Sequence, residues 1–206
     1  MQNLDLNKVV TLSSLGVNEE HLLNAVERGQ ADRNTALPTH PANTPGTLAF
    51  FGTVSELRNQ LIPYGWKIHN HRNLSMTSHP TGKVSIVVSG GTKETGTSSI
   101  PTTRNPKGEL AVQYTAQNTQ MSLFDVLEET TESEPNKPLE TQTWVLLYYF
   151  DRLASEVRSE LSLPLAVDNS GKVGSWSQRF ILPALPVSTT EGDFNPDFDP
   201  EIELDI

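Results

Sequence analysis

The sequence predicts an α+β protein with a disordered acidic linker and tail. Three observations carry that expectation. Short runs near residues 65–89 alternate apolar with polar side chains, as half-buried strands do. Other segments carry helix caps followed by apolar residues at helical spacing. Two further segments are acidic and poor in residues that build a core. Apolar residues make up 35% of the chain, and the 206 residues suffice for one good-sized domain or two small ones.

Asn18 can cap a helix through Leu22, Leu23 and Val26, which Gly29 can end. Acids occupy its first turn and Arg28 its last, as the helix dipole favours. Residues 30–46 hold Pro38, Pro41, Pro45 and Gly46 and read as a loop or linker. Thr53 and Glu56 match a capping box, so a second helix is expected from Thr53 to Pro63, with Val54, Leu57 and Leu61 as its stripe. Strands are expected near 65–71, 73–78 and 83–89, with a hairpin turn at 79–82. Residues 90–108 form a long polar loop, and Leu110, Val112 and Tyr114 suggest one more strand. A long helix is expected over 143–161, with Leu146, Tyr149, Phe150, Leu153, Val157 and Leu161 in its stripe and Pro164 at its end. A last hairpin uses Leu165–Val167 and Trp176–Leu182 around Asp168-Asn169-Ser170-Gly171. The expected organisation is a body over 1–118, a linker over 119–142, a helix plus hairpin packing on the body over 143–186, and a tail over 187–206.

Charge is distributed unevenly. The net charge is −10. Residues 190–206 carry seven acids and no base, and residues 125–142 carry six acids and one base. Residues 57–108 hold seven bases against one acid, Glu94. This basic middle makes Arg58, Lys67, Arg72, Lys83, Arg104 and Lys107 candidate contacts for DNA or RNA. The bland reading is a solvated sheet face. There are no cysteines, which excludes disulfides, thiolate zinc sites and cysteine nucleophiles. No apolar run approaches a membrane span, and the first residues lack the basic start and apolar core of a secretory signal. A cytoplasmic location with no membrane partner is expected.

His69 and His71 lie two apart on an expected strand, and His79 lies on the neighbouring turn. They are weak metal candidates, with surface histidines the simpler reading. The glycine-rich run from Gly90 to Gly96 lacks the Walker spacing and reads as a mobile loop. No catalytic constellation can be placed, so no cofactor is expected and an enzyme is disfavoured.

One short motif stands out. Gln120-Met121-Ser122-Leu123-Phe124 resembles the peptide Gln-x-(Ser/Asp)-Leu-Phe by which many bacterial replication and repair proteins dock on the DNA polymerase III β sliding clamp. The resemblance covers five residues. It implies that Gln120 hydrogen-bonds at the mouth of the clamp's cleft. Leu123 and Phe124 would fill its apolar pocket, and Ser122 would hold the bend between them. A few anchors carry such an interface, and polar neighbours set its register. The competing reading packs Met121, Leu123, Phe124, Val126 and Leu127 on the protein's own core. Glu160-Leu161-Ser162-Leu163-Pro164-Leu165 resembles a weaker variant of the peptide and is expected to be core. The acidic tail, with Phe194 and Phe198, resembles that of bacterial single-stranded-DNA-binding proteins without their terminal Pro-Phe. The body resembles uncharacterised proteins of integrative elements, prophages and plasmids in NLSMTSHPTGKVSIVVSGG, QMSLFD and TWVLLYYFDRLASEVRSELSLPL. Together these imply an accessory protein of a mobile element or defence locus that docks on the clamp. The alternatives are a nucleic-acid-binding module, or an anti-defence inhibitor acting through acidic surfaces.

Overall fold

A computed structural model describes residues 10–71, 74–106, 113–119 and 141–187. Two helices come first, α1 (Glu19–Arg33) and α2 (Thr44–Leu61). Strands β1 (Lys67–His71), β2 (Leu74–Ser78) and β3 (Val84–Gly90) follow as a meander. Residues 113–119 are helical (α3). Then come β4 (Gln142–Asp151), β5 (Glu156–Val167), β6 (Val173–Ile181) and the short β7 (Leu185–Pro186). All seven strands form one sheet of order β1-β2-β3-β4-β5-β6, with β7 also on β5. Every pairing is antiparallel except that of β3 with β4. The architecture is mixed α+β, as the sequence predicts.

The sheet is covered on both faces. Val84, Ile86 and Val88 alternate toward α1 and α2, together with Trp144, Leu146, Tyr148, Val157 and Leu161. Trp144 stacks on Phe180 with ring centroids 5.5 Å apart. The opposite set, Val87, Val145 and Leu147, packs under Tyr114 of α3, with Leu74, Met76 and Trp176 around it. The central strands therefore bury both faces, and a strand of that kind is apolar without alternation.

That burial explains the main correction. Residues 143–161 are not a helix. They form nearly all of β4, a turn at 152–155 and the first half of β5. A run such as Trp144 to Phe150 fits a buried helix or a central strand equally well by periodicity. Its aromatic and β-branched content, and the turn behind it, decide for strand. Asp151 Oδ1 accepts a hydrogen bond from the Ala154 N–H at 3.0 Å, and Ser155 adopts a left-handed φ of 50°. Tyr114, expected in a strand, lies in α3 instead.

Helix α1 begins where expected but runs further, whereas α2 begins well before its expected start at Thr53. Asn18 caps α1, its side chain accepting from the His21 N–H at 2.8 Å. Gly29 does not end α1; it lies at the crossing with α2. A Cβ there would stand 2.0 Å from Thr53 Oγ1 and 2.7 Å from the Ala49 carbonyl oxygen. The missing side chain lets the two helices touch. Helix α2 starts at Thr44, with Pro45 in its first turn, where proline is tolerated. Thr53 is therefore interior, and its hydroxyl donates to the Ala49 carbonyl at 2.8 Å rather than capping.

Candidate functional site

The described residues on either side of residues 120–140 are anchored to the sheet. Tyr114, on the inner face of α3, is buried against the sheet. One turn later Asn118 is buried too, and it bridges two strands. Its Nδ2 donates to the Thr143 carbonyl at 2.9 Å and the Pro164 carbonyl at 3.2 Å, while its Oδ1 accepts from the Thr143 N–H at 3.0 Å. On the return side, the Thr141 hydroxyl donates to the Gly82 carbonyl at 2.6 Å and the Gln142 N–H to that of Lys83 at 2.9 Å. Chain departure and chain return thus meet at the start of β4. Gln120, Ser122, Leu123 and Phe124, with the acidic linker through residue 140, lie outside the described residues.

The basic candidates among the described residues do not gather into one patch. Arg58 lies on α2 and donates to Asn70 Oδ1 of β1 at 2.7 Å, on the helix side of the sheet. Lys67 alternates with Ile68 on β1 and takes the other side. Lys83 is exposed at the entrance to β3. Arg104 is bonded through its backbone N–H to Gly90 at the far end of that strand, about 20 Å away at strand rise. Arg72 and Lys107 lie outside the described residues.

The histidines also separate. His79 packs edge-on against Trp66, with centroids 5.1 Å apart, and its Nδ1 bonds the Thr81 hydroxyl at 2.8 Å. His69 pairs with Met76 two strand positions before Ser78, on the sheet face opposite Trp66. His71 is opposite Leu74 in the register. Among the described residues no three His, Asp or Glu side chains stand close enough to hold a metal ion.

A polar centre missed in the sequence lies beneath residues 91–106. Glu160 is fully buried on β5. Arg179 of β6 grips it with both arms, Nε to Oε1 at 2.9 Å and Nη2 to Oε2 at 2.6 Å. The Ser162 hydroxyl and the Gly96 N–H donate to the same carboxylate at 2.6 and 2.9 Å. Arg179 also donates to the carbonyls of Thr97 and Ser99, and its hydrogen bond to Glu160 raises its pKa above the usual guanidinium value. Arg158, one position along the same face, donates to Asp151 Oδ2 at 2.8 Å and the Lys93 carbonyl at 2.9 Å, over the Tyr149 ring.

These arginines fasten the loop to the sheet. The carboxylate of Glu160 takes four hydrogen bonds, and nothing is left over for a substrate. The residues expected as a mobile loop are therefore held down, with a further bridge between Gly91 and Thr103. The signal was present as Glu156, Arg158, Glu160 and Ser162 at spacing two. It reads as one face only once the segment is taken as a strand.

No family model matches the sequence, and no curated protein or solved structure is significantly similar to it. No helix among the described residues is long and apolar enough to cross a membrane.

Proposed function

We propose that the protein docks on the bacterial β sliding clamp through residues 120–124, as an accessory factor of a mobile element or defence locus. The observation that carries this reading is the match of Gln120, Ser122, Leu123 and Phe124 to every specified position of the clamp peptide. The anchoring of the flanks supports it. Asn118 and Thr143 bind each other, so the peptide is tethered at one point on a rigid body and its attachment costs the body no rearrangement. The acidic residues that follow keep the linker soluble. Because the clamp works on chromosomal DNA, the reading places the protein in the cytoplasm.

The test is binding of the full chain to purified clamp by interferometry. Burial of one leucine and one phenylalanine is worth about 1.5–3 kcal/mol each. Replacing Leu123 and Phe124 together by Ala should therefore weaken binding at least about a hundredfold. Absence of binding by the parent, or equal binding by the double variant, refutes the proposal.

A further inference from the structure

Strand β1 is an outer strand: among the described residues it pairs with β2 alone. Its outward N–H and C=O groups are an open template for another strand. The edge is short and carries Lys67, which discourages pairing with neutral or basic strands but not with an acidic one.

The two sides of this edge differ. On the helix side lies a groove of about 360 Å³ whose apolar lining includes Phe50, Phe51, Val54, Ile62 and Ile68. Phe51 is 56% exposed, and Ile62 and Ile68 are 45% exposed each. Arg58 sits in the same groove. Its Nε is buried with no hydrogen-bond partner among the described residues, and Asn70, a neutral group, bonds its Nη2. Burial lowers its pKa from the usual value. The other side of the edge presents Lys67 and His69, both exposed. A strand that fits here alternates apolar side chains toward the groove with acids toward Lys67.

We propose that residues 201–206, Glu-Ile-Glu-Leu-Asp-Ile, add to β1 as a further strand of the sheet. Glu201, Glu203 and Asp205 alternate with Ile202, Leu204 and Ile206. In an extended chain the acids share one side and the apolar residues the other. Ile202 and Leu204 enter the groove against Phe51, Ile62 and Ile68, and the acids face Lys67 and His69. The connection is long enough. The described chain leaves at Val187, fastened to the Ser155 carbonyl beside β5. From there to a strand beyond β1 is six strand spacings, about 29 Å. Residues 188–200 span up to about 43 Å when extended.

Amide hydrogen exchange on the full chain tests this. The outward-pointing amides of β1 should exchange at least about tenfold more slowly in the parent than in Ile202→Asp with Leu204→Asp, while β3 and β4 amides stay unchanged. Lys67→Glu should lose the same protection, and Glu201→Lys with Glu203→Lys should restore it. Equal β1 exchange in parent and tail variant overturns the proposal. So does protection that grows with protein concentration, which would identify a second copy as the occupant. The chain has no cysteine, so Asp199→Cys accepts a single nitroxide. Its failure to broaden the amides of Phe51 and Ile68 would also overturn the proposal.

Discussion

Replacing Arg179 by Leu removes one partner of a fully buried carboxylate. Glu160 then keeps the Ser162 hydroxyl and the Gly96 N–H but loses both guanidinium bonds. Stranding a buried charge in this way costs about 3–5 kcal/mol. That is a large part of a typical stability of about 5–15 kcal/mol. The reverse change, Glu160→Gln, should be milder. Arg179 has a side chain 17% exposed and keeps the Thr97 and Ser99 carbonyls, so water can meet its charge. The amide oxygen still accepts from Gly96 or Ser162, and the loss should be about 1–2 kcal/mol. Urea unfolding followed by tryptophan fluorescence separates the two. With a slope of about 2 kcal/mol/M, Arg179→Leu should move the midpoint by about 2 M and Glu160→Gln by less than about 1 M. Equal shifts, or a larger shift for Glu160→Gln, would refute the reasoning that burial sets the asymmetry.

Gly29→Ala should destabilise by about 2 kcal/mol, because the clash with Thr53 and the Ala49 carbonyl outweighs alanine's helix propensity; a stabilised variant in the same urea assay would show that α1 and α2 can part. Asn118→Ala leaves the buried Thr143 N–H without its acceptor and should cost about 2 kcal/mol, read as a fall of about 4–8 °C in Tm by calorimetry; an unchanged Tm would mean that α3 is not pinned to β4. Burial lowers the His21 pKa below 6.5, against a smaller opposing effect of Glu20. Below 6.5 the unfolded chain takes up protons that the folded one refuses, so this contribution is complete above 6.5 and is lost as pH falls from 6.5 to the depressed folded value. His21→Leu should flatten the urea midpoint between pH 7 and pH 5, and an unaltered slope would dismiss His21 as the cause.

Local features were the most legible in the sequence. The Asn18 cap, the 79–82 turn and the Asp168 turn depend on neighbours within four residues, and the structure has them all. The three strands of the meander were legible because each pairs with a near neighbour in sequence. Errors arose where tertiary packing overrides local pattern. Gly29 reads as a helix stop, but the close approach of α2 keeps it inside the helix. The segment from Trp144 to Phe150 is apolar on both faces, so its spacing carries no period to read. That error hid the polar centre, since Arg158 and Glu160 share a face only on a strand. The match of Gln120, Ser122, Leu123 and Phe124 to the clamp peptide is a matter of sequence alone, and those residues lie outside the described ones. The anchor at Asn118 was not legible, because its partners Thr143 and Pro164 are distant in sequence.

The parallel contact between β3 and β4 has a consequence for how the chain folds. Val84 pairs with Gln142 across the whole crossover, whereas β1-β2-β3 and β4-β5-β6 join near neighbours. Two local meanders can form first and then meet along this seam. The entropy of closing the crossover loop comes before any reward from its contacts, so the seam should set the folding rate. Closure entropy grows only with the logarithm of loop length, so the crossover's length is cheap to change: doubling it costs only about 0.6 kcal/mol. Insertions between Thr119 and Thr141 should therefore slow folding slightly and leave the sheet intact.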